Sequence, residues 1–428
     1  MLKTIEILPG IFLRSFTDRR FKQGCLSFQL LRPMKPDEAA KNALLPAVLL
    51  RGTKKHPDLR SITEKLDDLY GASVGASVRR VGDYQTTGLY CSFIEDRFTG
   101  GEQVLSPMIA FLRELLLEPV LEDGGFCADF VSGEKKNLIA TIESELNDKR
   151  AYAMGQLLRK MCKADSYGIP RLGDVETVAA IDAKDLYGHY QNILRTSTIH
   201  LFYVGSDPDQ AEKLLRKAFA DLPREVTPLP KQTPFQDAGG CDETEVMDVT
   251  QGKLCLGYTT PITNKREDFA AMQVLNVIFG SGMTSKLFMN LREKLSLCYS
   301  CGSSYDFTKG VIFVRSGIAN ENYDRALGEI LRQLEDIKKG KISEFEFESA
   351  KKALVSSYRQ VTDSAYATES FFRTRILCGC TDGIEETARK IEQVTLSNVV
   401  EAAQRFGAEA VGFVRGELDG EEVDFDEE

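Results

Sequence analysis

Histidine is almost absent from this chain: its 428 residues hold three, His56, His189 and His200, and none has another histidine three or four positions away. A helical zinc site built on two histidines one turn apart is therefore excluded. Excess positive charge is absent as well. A net charge of -10 argues against nucleic acid or an anionic membrane surface as partner, because both need a basic footprint. No apolar run is long enough to span a membrane, and Met108 to Leu117 is interrupted by Arg113 and Glu114. Met1-Leu-Lys-Thr-Ile-Glu6 lacks the basic start and apolar run of a secretory signal, so the cytoplasm is the expected location. Nothing has the pattern of a nucleophile elbow. A P-loop fails because Lys286 is followed by Leu287 and not by Ser or Thr.

The ten cysteines are scattered and mostly flanked by apolar residues, as buried reduced thiols are, rather than set out as a disulfide framework. Cys298-x-x-Cys301 and Cys378-x-Cys380 are the close pairs. A zinc site at the first lacks the second pair that such a site needs, so core packing is the better account. His56, between Lys54-Lys55 and Pro57, reads as a solvated turn residue, and His200 opens an apolar strand.

What is present is ordinary globular composition, 43% hydrophobic and 28% charged, at a length beyond what one core supports. Between Leu222 and Glu243 the hydrophobic period stops. Pro223, Pro228, Pro230, Pro234 and Gly239-Gly240 mark a linker over 223–243, separating 1–222 from 244–416, with an acidic tail over 417–428. Strands are expected over 4–32, with turns at Pro9-Gly10 and Asp18 to Arg20, then over 71–78, 84–94 and 199–205. Helices are expected from Asp37 to Leu50, from Ile62 to Tyr70 with Ser61 as cap and Glu64 closing a capping box, near Val104 to Leu117, and over Phe130 to Met161. The order of elements then returns. Gln23-Gly-Cys-Leu-Ser-Phe28 parallels Gln251-Gly-Lys-Leu-Cys-Leu256, Glu134 to Ile139 parallels Ser349 to Leu354, and Asp148 to Tyr152 parallels Asp363 to Tyr366. Three ordered matches indicate duplication, and each half is expected to be an α+β layer, a sheet backed by helices.

The most informative stretch is Gly280-Ser-Gly-Met-Thr-Ser-Lys-Leu-Phe288 running into Leu291-Arg-Glu-Lys-Leu-Ser-Leu-Cys-Tyr-Ser300. It reads as a glycine break, an amphipathic helix over Met283 to Lys294 with Met283 and Phe288 in the core, and a strand from Leu297. Arg292 and Tyr299 then flank a helix-to-strand turn. The stretch resembles the pitrilysin and mitochondrial processing peptidase type of inverted-zincin metallopeptidase in its short bacterial form, where a Gly-Gly-Gly/Ser-Met-Ser-Ser-Arg-Leu-Phe loop precedes Leu-Arg-Glu-Lys-Gly-Leu-Ala-Tyr-Ser.

That resemblance implies a duplicated clamshell half. It also implies a His-x-x-Glu-His zinc helix just before a Lys-Gly-Thr-like turn, matched here by Arg51-Gly52-Thr53. The motif positions then fall on Ala43, Pro46 and Ala47, and the downstream ligand on Thr141, with Glu143 as an alternative. Ala43, Pro46 and Ala47 can neither ligate a metal nor take a proton. In the family the Arg and Tyr face the zinc site across a chamber, and some bacterial members work as pairs, one chain with the zinc motif and the other with only Arg and Tyr. The resemblance is to the second kind, including the inactive member of a pair associated with elongation factor P modification. It implies no cofactor in this chain, zinc on a paralogous partner, a peptide substrate, and substrate contacts from Arg292, Tyr299, Gly280 and Gly282. The rival expectations are an inert peptide-binding or scaffold protein, and a relocated metal site at Cys298 and Cys301.

Overall fold

The computed structural model describes residues 2–235, 241–407 and 409–417; Gly239-Gly240 and all of the acidic tail but Glu417 lie outside them. The chain divides into two compact units, and neither is a continuous segment. The first comprises residues 1–143, 169–231 and 362–377, the second 144–168, 232–361 and 378–428.

In the first unit β1 (Leu2–Leu8), β2 (Ile11–Thr17), β3 (Gln23–Pro33), β4 (Ser73–Val81) and β5 (Tyr84–Ile94) combine with a later strand, Thr198–Gly205. A two-residue ribbon, β6 (Leu121–Glu122) and β7 (Gly125–Phe126), stands apart, so the later strand is β8. The sheet runs β1-β2-β8-β3-β5-β4, with β2 and β8 parallel and every other pair antiparallel. β3 is buried along almost its whole length, as a strand covered on both faces must be.

Helix α1 (Pro36–Leu49) starts with proline in its first turn and Asp37 and Glu38 beside the positive end of its dipole. Pro46 inside it has no N–H to offer the Asn42 carbonyl four residues back. The hydroxyl of Thr87 on β5 donates to that carbonyl instead, at 2.5 Å. Helix α2 (Leu59–Asp68) starts three residues earlier than expected. Its cap is Asp58, in a capping box with Ser61, because the Asp58 carboxylate reaches the Ser61 amide at 2.8 Å. Helix α3 spans Leu105–Leu117. The long helix expected over Phe130 to Met161 is two, α4 (Ala128–Asn147) and α5 (Lys149–Met161), since Asp148 leaves helical geometry and caps the second by accepting from the Arg150 amide at 2.9 Å.

After α6 (Val175–Ala179), α7 (Ala183–Thr196) and α8 (Pro208–Phe219), the second unit adds β9 (Asp242–Val246), β10 (Gly252–Thr259), β11 (Cys298–Asp306), β12 (Val311–Ile318) and β13 (Glu409–Arg415). Its sheet runs β9-β13-β10-β12-β11, with β9 and β13 parallel and the rest antiparallel. Strand for strand this repeats β2-β8-β3-β5-β4. The internal sequence matches fall on equivalent elements: β3 with β10, α4 with α11 (Glu344–Gln360), and α5 with α12 (Ala365–Leu377). The α+β duplication is therefore visible in topology.

The equivalent pair α5 and α12 is exchanged. α5, from the first half of the sequence, packs on β10 and β13 through Ala153, Leu157 and Met161, and α12 packs on β3 and β8. Two apolar cores, one per unit, lie between each sheet and its remaining helices.

Polar side chains are buried beside α1. Asn42 donates to Gln85 at 2.9 Å and accepts from the His189 imidazole at 2.7 Å, and Gln85 donates to the Ala39 and Arg171 carbonyls. Burial pushes the His189 imidazole down to about 4. The unfolded chain takes up that proton below its ordinary value of 6.5 and the folded one does not. This contribution to stability is thus complete above pH 6.5 and is lost as pH falls toward 4. The expected outcome is that lowering pH from 7 to 5 destabilises the natural chain by about 2 kcal/mol more than His189→Gln, read from urea midpoints at both pH values. Equal pH dependence would remove His189 from the account.

Candidate functional site

The Gly280 stretch follows α9 (Phe269–Asn276). The helix does not stop at the glycines but widens into a π-helical turn over Val277–Ser281 that includes Gly280. A Cβ on Gly280 would stand 2.7 Å from the backbone nitrogen of Ser303 on β11 and 2.8 Å from Leu287 Cδ1, so a side chain there would drive the turn off the strand. Gly282 is extended, at φ -133 and ψ 161, a conformation open to any residue. The chain turns outward there, and Met283, expected in the core, is 79% exposed. The helical period that pointed it inward has not yet begun, because Met283 to Ser285 form a turn and the helix resumes only at Lys286. Lys286 is buried and ion-paired to Glu346 of α11 at 3.0 Å.

A second π-helical segment, Phe288–Lys294, carries Arg292, and the Leu295 amide bonds back five residues to the Asn290 carbonyl at 3.0 Å. The resembling pattern has nine residues from its Leu-Arg-Glu-Lys to its Tyr-Ser, and this chain has ten. The wide turn, together with Ser296 at φ 50, absorbs the extra one. Arg292 is half exposed, its guanidinium 4.9 Å from the centre of the Phe288 ring and its Nε 3.6 Å from the Glu293 carboxylate. Phe288 itself is half-buried rather than fully in the core.

On β11, Cys298 opposes Ile318, Ser300 opposes Gly317 and Cys301 opposes Ser316. Tyr299 is the extra residue of a β-bulge, lifted out of the ladder and 69% exposed. Arg292 and Tyr299 thus stand on the two sides of one turn. Of the twelve large hydrophobic side chains exposed among the described residues, Met283, Met289, Leu295 and Tyr299 fall in this one stretch. Such a concentration marks a contact surface more than scattered exposure does.

The positions where the resemblance places a zinc motif fall on α1 of the first unit. Ala43 and Pro46 are buried on α1 and Ala47 is partly so; they present methyl groups and a pyrrolidine ring. Thr141 is exposed on α4 and donates to the Asn137 carbonyl at 2.9 Å, and Glu143 is exposed as well. Among the described residues no group of three or more His, Cys, Asp or Glu is arranged to hold a metal ion. The donors present do not fit zinc, either at the motif positions or at Cys298 and Cys301. The turn after α1 is intact: Arg51 pairs with Glu134 at 3.2 Å, and the Thr53 hydroxyl donates to the buried Glu114 carboxylate. His56, expected to be solvated, is bonded to that same carboxylate at 2.7 Å and meets Phe111 edge-on, because the turn folds back on α3. His200 lies buried against Phe12 and Phe202. The bulge and the π turns had no signal in side-chain periodicity; only the extra residue before Tyr299 pointed to them.

The duplicated fold, with no metal-binding side chain at Ala43, Pro46 or Ala47, is that of an inactive metalloprotease-like chain. A family model described as "Peptidase M16 inactive domain" matches residues 180–354. A "Probable inactive metalloprotease YmfF" of Bacillus subtilis (strain 168) is 32% identical over 409 residues, 95% of this chain and 96% of that protein. The chain belongs to the peptidase M16 family. A conserved protein from Enterococcus faecalis V583 has a similar crystal structure, at TM-score 0.89 and 29% identity over 98% of this chain and 100% of that one. A structure described as a peptidase M16 inactive domain from Pseudomonas fluorescens shares the fold at TM-score 0.82 and 18% identity, over 97% and 98%. Among the described residues no helix is long and apolar enough to cross a membrane.

Proposed function

We propose that this chain is the non-catalytic subunit of a zinc-dependent peptidase, pairing with a paralogue that carries His-x-x-Glu-His and supplying Arg292 and Tyr299 to the bound peptide. The observation that carries this reading is the contrast between the two motifs: the zinc positions are filled by Ala43, Pro46 and Ala47, while Arg292 and the bulged Tyr299 are kept and exposed. Neither residue needs a metal of its own. The guanidinium is a fixed fork of donors for a peptide carbonyl or terminal carboxylate, and the phenol donates to a carbonyl oxygen as it gains charge. Gly280 and Gly282 shape the loop that presents them. The paralogue contributes zinc and the activated water, and the setting is the cytoplasm.

The test is peptide hydrolysis by this chain, by a zinc-motif relative from the same genome, and by the two mixed, with zinc measured in each. The expected result is activity in the mixture at least 10-fold above either chain alone, with stoichiometric zinc only on the relative. Zinc and turnover in this chain alone would overturn the proposal. Silence in all three samples would favour an inert peptide-binding scaffold.

A further inference from the structure

We propose that Cys298 and Cys301 form a reversible dithiol–disulfide site whose closure re-aims Tyr299. In a regular strand, residues three apart lie on opposite faces and about 10 Å apart, beyond the reach of a disulfide. The bulge at Tyr299 changes this. Cys298 and Cys301 oppose Ile318 and Ser316, two positions apart on β12, so they share one face. Two strand positions span about 6.6 Å, at the upper end of the Cα separation that a disulfide bridges.

Each thiol is the first influence on the other's titration, and both are also affected by Ser316, whose hydroxyl donates to the Ser300 carbonyl at 3.2 Å. The neighbouring Cys301, with further help from Ser316 and the nearby Arg292 guanidinium, pulls the Cys298 thiol down against the effect of its burial. The Cys301 thiol is pushed well up, first by the neighbouring Cys298 and then by burial. One sulfur is thus prepared to attack and the other to resolve, the asymmetry that thiol–disulfide exchange uses.

With a low-molecular-weight disulfide as oxidant, the Cys298 thiolate attacks one of its sulfurs, forming a mixed disulfide and expelling a thiolate that takes up a proton. Cys301 then gives up its proton and attacks Cys298 Sγ, forming the intramolecular bond and releasing the second small thiol. Two protein thiols are oxidised and one disulfide is reduced to two thiols. The closure draws together the residues that flank the bulge, and the residue between them that lies outside the ladder is Tyr299. The effect on peptide binding rests on the role proposed for Tyr299; the disulfide does not.

The test exposes the reduced, full-length protein to oxidised glutathione under native conditions, followed by alkylation and peptide mass analysis. The expected result is loss of two of the ten thiols, both from the 298–301 peptide as an internal disulfide, with Cys301→Ser stopping at a glutathione adduct on Cys298. Ten alkylatable thiols after oxidation, or loss spread over other cysteines, would overturn the site. The chain has no tryptophan, so Tyr299→Trp is a sole reporter. Its emission should shift on oxidation and return on reduction, and stay fixed when Cys301→Ser is added. A disulfide without that shift would overturn the re-aiming. A disulfide with the shift but no change in hydrolysis by the mixed pair supports the dithiol and tells against the role of Tyr299 in substrate binding.

Discussion

Tyr299→Phe, mixed with a zinc-bearing relative, is expected to lower kcat about 100-fold while leaving KM within about 3-fold, the signature of a donor used only as charge develops on the carbonyl oxygen. Removing one such donor from a peptidase site costs about 3 kcal/mol of transition-state stabilisation. The phenylalanine keeps the ring and loses only the hydroxyl, and at 69% exposure it leaves no buried group unpaired, so folding should be unaffected. Arg292→Ala should act differently, raising KM about 10- to 100-fold through loss of a charged hydrogen bond made already to the ground-state peptide. That guanidinium is half exposed and rests on Phe288. Steady-state kinetics of the mixture separate the two effects. If both variants turn over at the natural rate while the pair still assembles, neither residue touches substrate.

Glu369→Ala should destabilise the first unit by about 3 to 5 kcal/mol, the cost of leaving a buried charge without its partner. Glu369 and Arg373 lie on α12 with side chains 0% and 2% exposed, paired at 2.9 Å, and Glu369 also accepts from Ser27 of β3 at 2.8 Å. Burial pushes the Glu369 carboxyl up and the Arg373 guanidinium down, and their pairing works against both shifts. Arg79 adds a bond to Ser370 at 2.9 Å. α12 therefore docks largely through polar groups, whereas its counterpart α5 docks through Ala153, Leu157 and Met161. A fall of about 10 °C in the unfolding temperature of Glu369→Ala, measured by calorimetry, is the expected scale. Changing Glu369 and Arg373 together to Leu and Met should cost less than Glu369→Ala alone, because no charge is then stranded. A double variant as unstable as the sum of the two single ones would show that the pair does not interact.

The class of fold was legible because periodicity and turn residues repeat in order along the chain. Tyr84 to Ile94 reads as a strand from sequence and is one, and the paired segments at Gln23 and Gln251 fall on equivalent strands. Misreadings came where a single backbone contact outweighs the pattern. Asp148 divides one expected helix into two, Asp58 displaces Ser61 as a cap, and the outward turn at Gly282 carries Met283 into solvent. The partner of His56 was not legible because charged neighbours in sequence say nothing of Glu114, which reaches this turn from α3.

By itself the sequence determined that the chain carries no His-x-x-Glu-His, and residue identity alone decides that Ala43, Pro46 and Ala47 ligate no metal in any fold. It also indicated that Arg292 and Tyr299 flank a turn, because a helical pattern ends and a strand pattern begins between them. The tertiary structure decided the rest. The exchange of α5 and α12 depends on which apolar or polar face each helix finds, and the helix sequence alone does not name its partner. The bulge that lifts Tyr299 outward and brings Cys298 and Cys301 onto one face is set by pairing with β12, a strand a dozen residues further on. Side-chain period describes a strand in isolation, and register exists only between two of them.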